Sequence, residues 1–469
     1  MSAGTLLIPV ENQVRELDPK LLLATVAAHR GFSCILGSRQ EVDFRLGSVP
    51  RGIYLAKSMT KRSRKVFSIL RQLGHEIVVW DEEALVTYSD PEIYYGRRLD
   101  EQTMGLVSHH FAWGEANAEL LRKFRHYPGT PIHVTGNPRG DLLRPELRSY
   151  YEREAAVLRE EHGDFLLVNT NFGHVNAYNP IVNLLLAPDA EGKRAPGRGS
   201  IGMTYDYAAG RAVHKQVVFE AFGEMIPFLH DAFPQLKIVV RPHPVEDPTV
   251  YRELEARLPR VEVINDGQSP VPWLMATHAL VHNCCTTGLE SWIVGTPAVT
   301  YRPVQSDAYE ESLPNKLSHD AFDLPQLREV LERIVSGRLG RLENDETDRV
   351  VAHHLAGLSG PLASERIADA MAPVVEAWRA QPRPRLRRRL EGRWRSLRRR
   401  IKKEIRSRKA GSKNSPEFQR HRYPGLSIAE VRERVDRFGS MLGLTNPIAV
   451  SRISAHVYRI EPGKASRRA

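Results

Sequence analysis

The chain has 469 residues, 41% hydrophobic and 26% charged, a composition typical of a soluble globular protein with two or three domains. No apolar run approaches the length needed to span a bilayer, and the first residues lack the basic region of a signal peptide. Three cysteines, Cys34, Cys284 and Cys285, exclude a disulfide framework, so we expect a cytoplasmic protein.

The net charge of +11 is concentrated in one segment of the chain. Residues 381–410 contain fifteen Lys or Arg and two Glu, a net charge of +13, which leaves −2 for the remainder. The body of the protein is therefore close to neutral, and we expect a polyanionic partner to bind this segment alone.

Short apolar runs alternate with amphipathic segments along the first third of the chain. Helices are predicted at Leu21–His29 and Val66–Leu73. This alternation is typical of a doubly wound, parallel α/β sheet. Its predicted strands are Thr5–Val10, Phe32–Leu36, Gly52–Ala56, Glu76–Trp80, Leu106–Trp113 and Pro131–Thr135.

Three carboxylates follow predicted strands of this first sheet. Asp81 and Glu82 come directly after the Glu76–Trp80 strand, and Glu11 follows the first strand. Ligands of open α/β sheets bind at the carboxyl ends of the strands, so each carboxylate is a candidate general base. The alternative is that these acids favour the dipoles of the helices that follow.

A second series of strands begins after a charged helix at Pro145–His162. Its first strand, Phe165–Asn169, is followed by a small polar loop. Asn169 and Asn171 are candidate ligand contacts there, although the loop contains only one glycine, Gly173.

A later strand, Ile238–Val240, ends abruptly in Arg-Pro-His-Pro at positions 241–244. The run of β-branched residues indicates a buried strand, and the rigid prolines fix Arg241 and His243 at its carboxyl end. We favour phosphate binding by these two side chains over a simple turn with an exposed histidine.

The stretch 278–303 predicts a strand, a polar turn from Asn283 to Gly288, and a helix at Leu289–Val294. The N–H groups and dipole of a helix N-terminus bind anions, and two hydroxyls add donors. The candidate site residues are Asn283, Thr286, Thr287, Gly288 and Glu290, the last placed to accept hydrogen bonds from a ribose. The alternative is that Thr286, Thr287 and Glu290 only cap the helix.

The sequences at 241–244, 282–291 and 295–298 together resemble the bacterial surface carbohydrate biosynthesis protein family. That resemblance implies a GT-B-like α/β fold, with two doubly wound Rossmann-type domains facing a cleft. The spacing of apolar residues near the C-terminus predicts a basic amphipathic helix in addition. The His-Pro pair and paired hydroxyls are also similar to those of CMP-sugar-using sialyltransferases and Kdo transferases. There they hold the nucleotide phosphate, which implies the same role for His243, Thr286 and Thr287. Sialyltransferases carry a catalytic acidic pair in a comparable position of the N-terminal domain, and a glycine follows that pair. In this chain the acidic residues 81–83 are followed by Ala84, so the sequence departs from that pattern.

The resemblance implies a glycosyltransferase of bacterial surface polysaccharide synthesis, with a nucleotide-sugar donor, preferably CMP-Kdo or a related CMP-sugar. The acceptor would be a glycan or a lipid-linked molecule. No Asp-x-Asp pair follows a strand, so we expect neither a required metal nor another cofactor. Two alternatives stay open: a polyol-phosphate transferase using CDP-glycerol, and a non-catalytic membrane scaffold with a nucleotide-binding fold.

Within Leu386–Ile405, apolar residues recur every three or four positions on a helix that is otherwise almost entirely Arg and Lys. This pattern favours an anionic membrane surface as the partner, at the inner face of the cytoplasmic membrane. The alternatives are packing against the protein's own flank and nucleic-acid binding, and no nucleic-acid motif accompanies the charge. The predicted domains are 1–145 for the acceptor, 146–375 for the nucleotide-sugar, 376–411 for this helix, and a small segment, 412–469.

Overall fold

The computed structural model describes residues 3–86, 88–265, 267–408 and 414–463. The strands are β1 (Gly4–Val10), β2 (Phe32–Ser38), β3 (Ile53–Ala56), β4 (Glu76–Trp80), β5 (His109–Ala112), β6 (Ile132–Val134), β7 (Phe165–Asn169), β8 (Leu185–Pro188), β9 (Arg194–Pro196), β10 (Lys237–Arg241), β11 (Val261–Val263), β12 (Leu280–His282), β13 (Ala298–Tyr301), β14 (His319–Ala321), β15 (Ile448–Ser454) and β16 (Val457–Pro462).

The α-helices are α1 (Gln13–His29), α2 (Arg39–Phe44), α3 (Arg64–Leu73), α4 (Pro91–Arg98), α5 (Glu101–Met104), α6 (Glu115–Arg122), α7 (Pro138–Asp141), α8 (Glu152–His162), α9 (Tyr205–Ala232), α10 (Thr249–Glu255), α11 (Pro270–Ala276), α12 (Thr287–Val294), α13 (Ser312–Asn315), α14 (Leu324–Val335), α15 (Asp345–His354), α16 (Ala363–Ala380), α17 (Leu386–Ser407), α18 (Pro416–Arg422) and α19 (Ile428–Met441). Among the described residues, no helix is both long enough and apolar enough to cross a membrane.

The chain divides into two compact units. The first comprises residues up to 83, residues 98–142 and residues from 353 onwards; the second comprises 84–97 and 143–352. This division differs from the predicted domains 1–145, 146–375, 376–411 and 412–469. The chain returns to the first unit before α16, so α16, α17 and the C-terminal strands all belong to that unit.

The first unit is built on one sheet with the strand order β15-β16-β2-β1-β3-β4-β5-β6. The strands from β2 to β6 are parallel, whereas β15 and β16 pair antiparallel at the β2 edge. β1 lies between β2 and β3, so the strand order reverses around β1. A ligand crevice is expected at the carboxyl end of β1.

The C-terminal segment, for which the sequence indicated no role, completes this sheet. Tyr458 and Ile460 of β16 are buried against it. The two backbones approach so closely that a Cβ on Gly37 of β2 would lie 2.1 Å from the carbonyl oxygen of His456. The segment described between 414 and 463 therefore adds two strands to the sheet and buried side chains to the core of the first unit.

The helix α16 also packs on the first unit, where its N-terminus is capped from a distant part of the chain. The buried carboxylate of Asp141 accepts the backbone N–H groups of Ala363 at 2.7 Å and Ser364 at 2.8 Å. At the other end of α16, the indole of Trp378 donates to the carbonyl oxygen of Gly74 at 2.9 Å.

The second unit contains a six-stranded parallel sheet with the order β11-β10-β7-β12-β13-β14. Every residue of β7 is buried, as expected of a central strand with helices on both faces. The strand order reverses between β7 and β12, the arrangement of a doubly wound Rossmann-type sheet. Two doubly wound α/β sheets confirm the predicted fold class.

We predict that Asp141→Ala destabilises the first unit by about 2 kcal/mol, because it leaves two buried N–H groups without an acceptor. The thermal transition of this unit should fall by about 4–8 °C in scanning calorimetry. Glu376→Ala, on the exposed face of the same helix, is the control and should shift the transition by about 1 °C or less. Equal shifts for the two variants would contradict the capping role.

Candidate functional site

Two parallel pairings set the geometry at the carboxyl edge of the second sheet. Asn169, the last residue of β7, pairs in register with Arg241 of β10 and with His282 of β12. The loops that follow the three strands therefore start at the same level, where the strand order reverses. We call the region formed by residues 169–174, 241–246 and 283–288 the β7/β12 crevice.

The loop after β12 presents backbone donors to this crevice. Cys284 adopts a left-handed backbone conformation with φ of 47°, which turns the chain sharply into α12. The N–H groups of Thr286 and Thr287 donate to no acceptor among the described residues. Two unpaired N–H groups at the N-terminus of an eight-residue helix suit an anion.

The threonine hydroxyls do not cap the helix. Thr286 occupies the N-cap position without a side-chain cap bond, and the hydroxyl of Thr287 donates to the sulfur of Cys285 at 3.1 Å. Both residues are half-buried, as is Glu290 in the first turn. The capping alternative is therefore wrong for the two threonines.

Gly288 and Asn283 shape the crevice from beneath. A Cβ on Gly288 would lie 2.6 Å from Nε2 of the buried His282, so only glycine lets α12 rest on that imidazole. Burial lowers the pKa of His282 to about 3, which keeps the ring neutral at pH 7. The buried Asn283 amide donates to the carbonyl oxygen of Tyr301 at 3.3 Å. We expect Asn283 to support the loop rather than contact a ligand.

The two asparagines after β7 lie on the opposite side of the reversal. The amide of Asn171 donates to the carbonyl oxygen of Cys284 at 3.3 Å, so it links the loops after β7 and β12. The buried side-chain oxygen of Asn169 has no hydrogen-bond partner among the described residues. A buried acceptor without a partner is costly, and a donor from a bound ligand would offset that cost.

Arg241 and His243 follow β10, as predicted. The Arg241 guanidinium lies over the ring of the buried Trp273, 5.2 Å from its centroid, and donates to the carbonyl oxygen of Gln268 at 3.0 Å. The N–H of Val245 donates to Nδ1 of His243 at 3.3 Å. When the imidazole is neutral, its proton is therefore on Nε2, so that nitrogen is a donor.

The buried carboxylate of Glu246 ties the loops after β7 and β10 together. It accepts the backbone N–H groups of Phe172 at 2.9 Å and His243 at 3.2 Å, and the hydroxyls of Thr170 at 2.9 Å and Tyr251 at 2.7 Å. Burial raises the pKa of Glu246, and the donated hydrogen bonds oppose that shift. Glu246 thus positions His243 beside the loop after β7.

Sequence reasoning missed the cations that α9 and α4 add to the second unit. The buried Lys215 of α9 donates to the carbonyl oxygen of Asn171 at 3.3 Å. Burial first, and then the charges of Lys215, Arg211, Arg97 and His243, lower the pKa of His174 well below its usual value. Several positive charges therefore meet near the loop after β7.

One of these cations has a fixed counter-charge. Arg211 is almost fully buried and forms an ion pair with the carboxylate of Glu311. Burial tends to raise the pKa of Glu311, but Arg211 and Lys215 outweigh burial and lower it. Lys215 has no carboxylate within ion-pair distance among the described residues. The spacing of Arg211 and Lys215, four residues apart on one helix face, was the signal in the sequence.

In the first unit, Glu11 follows β1 at the strand reversal. Its carboxylate pairs with Arg39 at 2.7 Å, Lys57 at 3.0 Å and Arg422 at 2.6 Å. Burial opposes ionisation, but these three cations hold the pKa of Glu11 far below its usual value. A carboxylate that holds its proton so weakly is a poor general base near neutral pH.

Asp81 and Glu82 follow β4 and are both buried. Arg98 binds Asp81 with two nitrogens, one of them at 2.8 Å. Glu82 accepts the indole N–H of Trp80 at 2.8 Å and pairs with Lys20 at 3.0 Å. These contacts are typical of side chains that stabilise a sheet edge, and the catalytic roles stay predictions.

No cluster of three or more His, Cys, Asp or Glu side chains within the described ranges is arranged to hold a metal ion.

No protein-family model and no curated protein matches this sequence. Solved structures with a similar chain path include UDP-GlcNAc 2-epimerase from Methanocaldococcus jannaschii in complex with UDP-GlcNAc and UDP. That match has 13% identity and a TM-score of 0.47, and covers 79% of this chain and 99% of the other. Wall teichoic acid polymerase TagF soaked with CDPG matches at 9% identity and a TM-score of 0.48, covering 81% of this chain and 90% of the other. At these values the likeness identifies neither a family nor an activity.

Proposed function

We propose that this protein is a glycosyltransferase of bacterial surface polysaccharide synthesis that binds the phosphate of a nucleotide-activated sugar in the β7/β12 crevice. The observation that carries the proposal is the meeting of unpaired backbone donors with several cations at the strand reversal of the second sheet. The preferred donor is CMP-Kdo or a related CMP-sugar.

The proposed phosphate position lies at the N-terminus of α12. The N–H groups of Thr286 and Thr287 have no protein acceptor, so an anion there gains hydrogen bonds without breaking others. Lys215 adds a buried positive charge, and His243 offers its Nε2–H. These groups supply the charge neutralisation of a leaving phosphate, so the proposed chemistry does not call for a metal ion.

The nucleoside would lie next to the phosphate. Glu290, in the first turn of α12, is the candidate acceptor for ribose hydroxyls. The side-chain oxygen of Asn169 is a second acceptor, since it is buried without a donor. A ligand that supplied a hydroxyl or amino group would satisfy it and gain affinity in doing so.

For the acceptor, we propose a glycan or a lipid-linked molecule, used at the inner face of the cytoplasmic membrane. A carboxylate of the first unit would remove the proton of its hydroxyl. Glu82, Asp81 and Glu11 are the candidates, and the three cations around Glu11 lower its basicity.

A second candidate function is polyol-phosphate transfer from a donor of the CDP-glycerol type. The excess of cations favours it, because Lys215 and Arg97 lie near His174 in addition to the ion-paired Arg211. A diphosphate carries more negative charge than the single phosphodiester of a CMP-sugar and would use more of these cations.

We predict that one cytidine nucleotide raises the melting temperature of the purified protein and that His243→Ala weakens its binding about tenfold or more. The loss follows from removing a hydrogen-bond donor to an ionised phosphate. Thermal-shift and calorimetric titrations with CMP, CDP, UDP and GDP measure both effects, because a ligand that binds only the folded state stabilises it.

The nucleotide panel also decides between the candidates. Selectivity for CMP supports the CMP-sugar transferase, and selectivity for CDP supports polyol-phosphate transfer. If UDP or GDP binds selectively instead, the protein is a transferase with another donor. If none of the four binds, the site assignment fails and a non-catalytic scaffold becomes the better description.

We predict that Lys215→Met weakens nucleotide binding about tenfold or more, since methionine keeps the volume of the side chain but removes its charge. The matched control is Lys237→Met. Lys237 is the first residue of β10, at the opposite edge of the same sheet, and pairs with Glu262 at 2.6 Å. Calorimetric titration should show unchanged affinity for the control. Equal losses in both variants would mean that general charge, and not the crevice, binds the nucleotide.

A further inference from the structure

The helix α17 is attached to the first unit through its least apolar face. Gly392 and Ser396 are its buried residues, and a Cβ on Gly392 would lie only 3.0 Å from the Cβ of Gln72 at the end of α3. One turn further, Arg399 pairs with the buried Asp43 at 2.9 Å. The Lys403 ammonium then lies 5.6 Å from the ring centroid of Phe44.

The opposite face of α17 carries the apolar stripe. At 100° per residue, the stripe and the attached face are centred about 160° apart around the helix axis. All six apolar side chains of the stripe are exposed, with fractions from 45% to 66%. The alternative that the stripe packs against the protein's own flank is therefore wrong. The six are Leu386, Leu390, Trp394, Leu397, Ile401 and Ile405.

Cations border this stripe on both sides. Arg393 and Arg400 lie along one border and Arg387, Arg398 and Lys402 along the other, and all five are exposed. The helix as a whole contains eleven Lys or Arg and two Glu. An apolar stripe that contains a tryptophan and lies between rows of cations suits an anionic lipid surface. The apolar side chains can enter the acyl region while the cations contact the anionic headgroups.

The charge also argues against a second copy of the chain as the occupant. A twofold contact would bring two copies of this helix together, each with a net charge of +9, and like charges at close range oppose association. A nucleic acid would neutralise the charge but leave the apolar side chains in water. An anionic bilayer satisfies both parts of the surface.

We propose that the outward face of α17 binds the surface of an anionic lipid bilayer, with the helix axis parallel to the membrane plane. The six apolar side chains enter the acyl boundary, while the bordering cations contact lipid phosphates. This inference is independent of the transferase activity proposed above, since it rests on the surface of α17 alone.

If α17 binds the membrane in this way, it brings α2 and the carboxyl edge of the first sheet close to the lipid surface. Its C-terminal half lies beside α2, where Arg399 meets Asp43 and Lys403 meets Phe44. α2 begins directly after the carboxyl end of β2. The carboxyl edge of the first sheet, where Glu11 pairs with Arg39, Lys57 and Arg422, is therefore held near the lipid headgroups.

The protein contains its own reporter for the test. Of its six tryptophans, only Trp394 is exposed, at 62%, whereas the other five are between 2% and 8% exposed. When the full-length protein is mixed with vesicles of phosphatidylcholine and phosphatidylglycerol at 3:1, we expect the tryptophan emission to shift to shorter wavelength. Brominated lipids should quench it, and the protein should sediment with the vesicles. Pure phosphatidylcholine vesicles should bind at least tenfold less protein.

Three variants separate the apolar and ionic contributions. Trp394→Ser with Leu397→Ser should abolish sedimentation, whereas each of Arg393→Gln and Arg398→Gln should weaken it about fivefold at low salt. The matched control is Val157→Ser with Val250→Ser, two exposed apolar residues on α8 and α10, and it should bind like the unaltered protein. Circular dichroism confirms that the variants are folded.

Three results would overturn the proposal. The first is a wavelength shift that depends on protein concentration without vesicles, which would identify a second copy as the occupant. The second is equal binding to neutral and anionic vesicles. The third is sedimentation that persists in the Trp394→Ser, Leu397→Ser variant, which would place the membrane contact elsewhere on the chain.

Discussion

The candidate site depends on the parallel register of β7 with its two neighbours. That register brings Asn169, Arg241 and His282 to one level at the carboxyl edge. It is fixed by burial, because Leu166 and Val168 of β7 lie in the same hydrophobic core as Ile238 and Val240 of β10. A slip of one residue would turn every side chain of β7 to the other face and would separate the loops that form the crevice.

Glu246 converts that register into a fixed arrangement of loops. Burying a carboxylate costs several kcal/mol unless donors replace its hydration, and here two backbone N–H groups and two hydroxyls do so. Because Phe172 and His243 share this one acceptor, neither loop can move without breaking hydrogen bonds to the other. The cost of preorganising the crevice is thus met during folding rather than when a ligand binds.

Much of the fold and part of the candidate site could be predicted from local signals. The run at Phe165–Asn169 is apolar and the run at Ile238–Val240 is β-branched, and both form interior strands of the second sheet. The polar loops after them follow directly, since a parallel sheet brings the carboxyl ends of its strands to one edge. Arg241, His243, Thr286 and Thr287 were found in this way.

The remaining parts depend on contacts between distant residues. The spacing of Lys215 and Arg211 indicates only that they share one face of the long helix α9, and the packed structure is needed to show Lys215 beside Asn171. The strand β16 pairs with β2, more than 400 residues earlier in the chain, so its alternation of side chains did not indicate a partner. The position of α16 could not be predicted for the same reason. Its N-terminus is capped by Asp141, which lies 222 residues before Ala363 in the chain.

The sequence predicted the apolar stripe of α17, but its periodicity did not show whether the stripe is buried against the protein or exposed. The spacing of its apolar residues establishes a stripe, and burial of six such side chains would release on the order of 10 kcal/mol. A helix that served only to complete the fold would bury that stripe. Here the close contact is made instead by Gly392 and Ser396, which allow the backbone of α17 to approach α3, and by the Arg399–Asp43 ion pair. The stripe is therefore exposed, and the lipid surface proposed for it is one that would bury its apolar side chains and pair with the cations on its borders.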